Sequence, residues 1–154
     1  VKQLLELLAA PGQPEALYHA LGRTLADDIG YGLFTLLYRD GSEVARVYSS
    51  NEAAYPVFGR KHMGETPWGQ KVIDRQEPFL GRGPDDIVWA FFDHELIFSL
   101  GLGAVINIPV VYNGDTIGTM NLLDRSGAYT EAHLYRAAAY APLLIPAFLK
   151  ARRA

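Results

Sequence analysis

Cysteine is absent from the 154 residues. Disulfides, thiolate nucleophiles, thioether-attached chromophores and cysteine-based metal sites are therefore excluded together. A chain without thiols tolerates either redox compartment, so the compartment stays open on this ground. Basic charge is scarce as well: 14 Lys and Arg stand against 17 Asp and Glu, a net charge of −3. Phosphate backbones call for clustered cations. The one basic cluster is terminal, Lys150, Arg152 and Arg153, where it suits a helix C-terminal dipole, so no nucleic-acid surface is expected. No apolar run approaches the roughly 18–20 residues that span a bilayer, and the opening VKQLLELLAAPGQ lacks a signal-peptide layout. No membrane contact is expected, and the cytoplasm is the default. Repeats and low-complexity linkers are missing too. What remains is 49% apolar and 20% charged, ordinary for a globular chain and enough for one domain over residues 1–154.

The order of elements can be read from periodicity. VKQLLELLAA is a short helical segment with Leu4, Leu5, Leu7 and Leu8 on a broad apolar face, ended by Pro11-Gly12. A second helix starts near Pro14 and stops at Gly30, with Leu17, Leu21, Leu25 and Ile29 as its buried stripe. Residues 31–38 and 44–49 should pair as a hairpin turned at Asp40-Gly41. There Leu33, Thr35 and Leu37 face one way and Phe34, Leu36 and Tyr38 the other, so both faces are covered and the strand is central. Residues 50–66 look irregular. Thr66 caps a helix from Pro67, EPFL is a short strand, GRGPDD a turn into a helix through IVWAFF, and another short helix follows near 93–100.

A second hairpin occupies GAVINIPVVYNGDTIGTMNLLD, residues 103–124, turned at Asn113-Gly114. Ile106, Ile108 and Val110 share one face and Asn107 and Pro109 the other, with Pro109 forcing a bulge or a missing ladder bond. Thr130 caps a long last helix whose stripe is Leu134, Ala138, Ala141, Ile145 and Phe148. Pro142 and Pro146 within it predict a kink near residues 138–146. The fold class is α+β, layered α/β/α: a central sheet of five or six antiparallel strands, terminal helices on one face, and segment 50–102 on the other.

Segment 50–102 holds both tryptophans and most of the phenylalanines, among them Trp68, Phe79, Trp89, Phe91, Phe92 and Phe98. Any one of them alone reads as core; gathered in an irregular insert, they read as the wall of a pocket. Phe34 from the first hairpin joins the candidates. Asn107, Thr119 and Asn121 are polar groups on sheet positions and need partners if buried, whether backbone, water or ligand. His94, between Asp93 and Glu95, lacks the second histidine of H-E-x-x-H, and neighbours on a helix diverge by about 100°, so no metal site is expected. It is kept as a group that hydrogen-bonds a ligand or caps a helix. GLGAVI has glycines between a helix and a strand, the reverse of a dinucleotide loop, and reads as a helix C-cap. No Ser-His-Asp grouping has a nucleophile-elbow context.

LGAVINIPVVYNGDTIGTMNLLD followed by AYTEAHL resembles the GAF domain family. The carrying features are Ile108-Pro109, Asn113-Gly114, Ile117-Gly118 and Tyr129-Thr130-Glu131. PAS domains share the architecture but usually lack the long helix after the Ile-Gly strand. The resemblance implies a small-molecule pocket between sheet and insert, homodimerisation through the terminal helices, and a non-catalytic sensory role. Simple docking of the first helix on its own sheet is the alternative to dimerisation there. Cyclic-nucleotide-binding members carry Asn-Lys, then Phe, three residues and Asp-Glu. Here Leu122 follows Asn121, Tyr129 replaces the Phe, and His133-Leu134 occupy the acidic pair, so cyclic nucleotides are disfavoured. Bilin-attaching members and free methionine sulfoxide reductases of this family need cysteine. No covalent bilin is possible, and haem, which would need His94 or His62, is disfavoured. The ligand is unidentified, and a ligand-free interaction module is the runner-up, with a haem sensor or an enzyme behind it.

Overall fold

A computed structural model describes residues 1–152; Arg153 of the basic terminus lies outside them. The helices α1 (Lys2–Leu7) and α2 (Glu15–Asp28) lead into β1 (Leu33–Asp40) and β2 (Glu43–Ser49). The insert carries β3 (Lys61–His62), α3 (Pro67–Gly69) with a π-helical turn over Gln70–Asp74, β4 (Phe79–Gly81), α4 (Pro84–Ala90) and α5 (His94–Ser99). Then come β5 (Ala104–Tyr112), β6 (Asp115–Asp124), α6 (Glu131–Ala138), a 3-10 turn (Ala141–Leu144) and α7 (Ile145–Ala151). Six strands form one antiparallel sheet in the order β3-β2-β1-β6-β5-β4. The central position expected for β1 is observed.

Turn chemistry sets the registers. In the β5–β6 hairpin Tyr112 pairs with Asp115, and Asn113 and Gly114 between them have φ of 53° and 78°. Both central residues being left-handed is what a type I′ turn requires, and Asn-Gly tolerates it best. In the β1–β2 hairpin Asp40 pairs with Glu43, so the loop is Gly41-Ser42, one residue later than expected. Gly41 takes the left-handed first position with φ of 63°, which leaves Asp40 in the ladder. The irregularity expected at Pro109 falls at Val110/Val111, next to it.

The two sheet faces bury different partners. Phe34, Leu36, Ile106, Ile108, Met120 and Leu122 turn toward α2, the 3-10 turn and α7. Leu17, Leu21 and Leu25 are fully buried against them, each contributing about 1.5–3 kcal/mol. Gly118 is the close approach on this side: a Cβ there would run into the Leu37 carbonyl oxygen and come within 2.5 Å of the Phe148 ring. The glycine of Ile117-Gly118 thus lets α7 lie directly on β6. Of the leucines on α1, Leu4 is buried in this core, while Leu5 is exposed.

The last helix is broken rather than kinked. Pro142 and Pro146 cannot donate, and Tyr140 and Leu143 donate to carbonyls three residues back, Ala137 and Tyr140, so the axis breaks into α6, the 3-10 turn and α7. The expected stripe still packs on the core. Near the other face, the Thr116 hydroxyl donates at 2.8 Å to the Ile73 carbonyl, and Arg75 N–H reaches five residues back to Gln70 at 3.0 Å, which widens that turn to π geometry.

Candidate ligand cavity

On the second sheet face, period two places Leu33, Thr35 and Leu37 of β1 beside Thr119, Asn121 and Leu123 of β6 and Asn107 of β5. Asn107, Asn121 and Thr35 are in register across three strands. Their side chains form one directed chain. Trp68 Nε1–H donates to Asn107 Oδ1 at 2.9 Å, and Asn107 Nδ2 donates to Asn121 Oδ1 at 2.8 Å. Asn121 Nδ2 then reaches the Thr35 carbonyl and hydroxyl at 3.3 Å. Both amides are buried, so each bond is electrostatically stronger than in water and loss of a member is costly. Thr119 has no such partner. Its register neighbours are Leu37 and Pro109, which offer no polar side chain, and its buried hydroxyl oxygen makes no hydrogen bond among the described residues.

The insert arches over this floor and leaves a cavity of about 320 Å³. Thr66, whose side chain accepts from Gly69 N–H at 2.9 Å, starts α3 and so holds Trp68 in the roof. Tyr55 O–H donates to Asp93 Oδ2 at 2.6 Å, tying the loop after β2 to the start of α5. Burial first, and the Asp93 bond second, push the Tyr55 phenol well above its ordinary pKa, so it stays a donor. Arg46 of β2 enters the cavity wall with its guanidinium 5.1 Å from the Tyr55 ring centre and 5.0 Å from that of Phe58. One of its Nη groups donates to the Pro56 carbonyl at 2.9 Å. Burial lowers the Arg46 pKa, an effect opposed by Tyr55 and Asp93. The walls between are apolar, with Met63, Phe91 and Ile97.

Of the ten candidate residues, Trp68, Asn107, Thr119 and Asn121 line the cavity, and Phe92 stands on its rim, 98% exposed. Five do not line it. Phe34 points to the opposite face, where its ring packs on Tyr31 and Tyr48 under α2. Phe79 is buried in the insert's own apolar cluster with its ring 5.3 Å from that of Trp89, which is half exposed. His94 stacks at 6.0 Å on Phe98 outside the wall, and Phe98 packs behind it on that same cluster. The helix α4 ends at Ala90 and Phe91 is extended, so Phe91 turns inward where Trp89 does not. Arg46, Tyr55, Thr35 and Asp93 were missed. Thr35 shares the period-two face already read for Leu33 and Leu37; Arg46 is legible only from its pairing with Leu37. Nothing local signals the Tyr55–Asp93 bond across 38 positions.

A second hollow of about 280 Å³ lies at the open edge of β5, lined by Pro78, Ile108, Pro109, Ala138 and Pro142. Gln76 is its polar side chain, and the Nε2 of that amide donates to the Gly114 carbonyl at 2.9 Å. Among the described residues no group of three His, Asp or Glu could hold a metal ion, and no helix is long and apolar enough to cross a membrane.

Neither a protein-family model nor a curated protein matches the sequence. Solved structures do match. The GAF domain from a phosphoenolpyruvate-protein phosphotransferase of Coxiella burnetii superposes with a TM-score of 0.75 at 21% identity, covering 98% of this chain and 91% of that one. The nlh2 GAF domain of A. Aeolicus gives 0.72 at 17% identity, over 99% and 94% of the two chains. The chain has the GAF fold. The free methionine-R-sulfoxide reductase from Neisseria meningitidis is similar too, with a TM-score of 0.70, 18% identity and coverage of 99% and 87%. The fold is therefore shared, among these neighbours, by GAF domains of larger proteins and by an enzyme.

Proposed function

We propose that this GAF-fold chain is a non-catalytic sensory or regulatory domain that binds a small molecule in the cavity over its sheet. The carrying observation is that cavity itself: about 320 Å³, within the range of roughly 300–1,000 Å³ of ordinary ligand pockets. Its floor holds an unpartnered Thr119 hydroxyl and its wall an Arg46 fork. Apolar walls with a few placed polar groups are the make-up of a binding site. Occupancy would be reported through the helices on the opposite face, because β1 and β6 carry cavity side chains and helix-facing side chains in alternation. In a homodimer those helices would pass the signal to a second copy. The likeness to solved GAF domains supports this reading, and a cytoplasmic setting accords with it. Screening small molecules by thermal shift and native mass spectrometry tests it: stabilising, one-to-one guests are expected, and a screen without any would remove the sensing role.

A second reading is a ligand-free interaction module. It is favoured by the exposed apolar side chains Val88, Trp89, Phe92, Leu96 and Leu100 along α4 and α5. Sedimentation of a Trp89→Ser, Leu96→Ser variant, both positions outside the cavity lining, separates the two, since loss of self-association with ligand binding intact assigns this patch to assembly alone.

A further inference from the structure

Resting on that reading and sharpening it, we propose that the cavity takes a small organic monoanion, a ring-sized apolar body whose carboxylate-like group is held by Arg46 and Lys61. Both residues line the cavity. Neither has a carboxylate at ion-pair distance among the described residues, a state shared with Lys2, Arg23, Arg125 and Lys150, none of which lines the cavity. The two cations share one support: the Lys61 ammonium sits 4.4 Å from the Phe58 ring centre and the Arg46 guanidinium 5.0 Å from it. Arg46 is half-buried and Lys61 exposed, and the Asp93 carboxylate, whose charge favours the Arg46 guanidinium, stands beyond ion-pair distance of it. An anion reaching both would supply the close partner that each lacks.

Arg46 is also prepared to bind. Its stem leaves β2 at a position paired with Leu37, its plane rests against Tyr55 and Phe58, and Pro56 holds one nitrogen. The other nitrogens have no protein acceptor among the described hydrogen bonds, and a guanidinium fixed in this way presents a ready fork to a carboxylate. Asp93, the acid whose charge acts on this group, accepts the Tyr55 hydroxyl at 2.6 Å. Beyond the cations the surroundings turn apolar, with Leu33, Met63, Phe91 and Ile97, and the Thr119 hydroxyl lies below. The matching guest has charge at one end, an apolar middle, and room for a hydrogen-bonding group opposite the charge.

The test titrates benzoate, its neutral isostere benzamide, and benzylammonium into the full chain at low ionic strength. Amide proton–nitrogen spectra are followed at Arg46, Thr119 and Asn121. Benzoate is expected to shift these signals and to bind at least about 10-fold more tightly than benzamide, the size of a charge-assisted hydrogen bond. Arg46→Gln should bring the two affinities together, and Arg46→Lys should keep a preference for the anion. Since Arg46 also anchors Pro56, the wild-type ratio decides the matter if the Gln variant does not fold. Equal binding of benzoate and benzamide, or preference for benzylammonium, overturns the anion assignment and leaves the cavity as a binding site. Absence of shifts with all three probes overturns both.

Discussion

Replacing Asn107 by Leu keeps the branch at Cγ in a larger, apolar side chain and removes the centre of the Trp68–Asn107–Asn121–Thr35 chain. Two groups lose their partners: the Trp68 indole N–H, held at 2.9 Å, and Asn121 Oδ1, held at 2.8 Å. An orphaned buried group costs about 1–3 kcal/mol. Trp68 and Asn121 both border the cavity, where water can partly replace the lost partner, which puts each in the lower half of that range. The expected loss is about 3 kcal/mol, or about 6–12 °C in Tm for a chain of this size. Asn121→Leu orphans Asn107 Nδ2 and only long 3.3 Å contacts to Thr35, so it should cost less. The double variant removes both members of the central bond, and its cost should stay near that of Asn107→Leu alone instead of reaching the sum. Urea unfolding followed by tryptophan fluorescence reads all three, with Trp68 reporting directly. Additive losses, or a loss below about 0.5 kcal/mol for Asn107→Leu, the level of ordinary surface changes, would refute the connected chain.

Gly118→Ala should destabilise by about 3 kcal/mol, the upper end of overpacking, because the obstructing atoms include the β1 backbone; thermal unfolding checks it. Tyr55→Phe should lose about 1–2 kcal/mol and loosen the start of α5, seen as faster hydrogen exchange over residues 94–99. Tyr18, Tyr55 and Tyr129 all have phenol pKa values raised first by burial. The folded state keeps those protons after the unfolded chain has lost them, so stability is level below about pH 10 and falls above it, by about 1.4 kcal/mol per pH unit per phenol. Tyr129→Phe, which also forfeits the bond to the Gly30 carbonyl at 2.8 Å, should lessen that slope in unfolding measured from pH 9 to 12. Removing residues 1–10 exposes the core face that Leu4 covers; if α1 also forms the dimer, sedimentation should show monomer with the fold retained.

Elements were legible where chemistry is local. Asn113-Gly114 announced its turn through the left-handed φ that those residues tolerate, and Thr66 and Thr130 stand where helices begin. Period-two alternation sorted β1 correctly into two faces, yet nothing in it says which face meets the insert; Phe34 was assigned to the cavity and lies under α2. Aromatic content located the insert but not the phase of its side chains. The end of α4 at Ala90 decides that Phe91 points inward while Trp89 stays out, and helix ends are set by tertiary contacts as much as by sequence. Asn107, Thr119 and Asn121 were recoverable because polar residues in an apolar strand stand out. Arg46 was not, since an arginine in a β-hairpin is commonplace until its pairing partner is known.

The most direct measurement is a crystal structure of protein purified from cells, read in the volume above Thr119. An open chamber bounded by Trp68, Phe91 and Ile97, with a guest or an ordered water at hydrogen-bond distance from Thr119 Oγ1, is the predicted result. Side chains of Trp68, Phe91 and Phe92 collapsed onto the sheet, with Thr119 sealed beneath them, would contradict it.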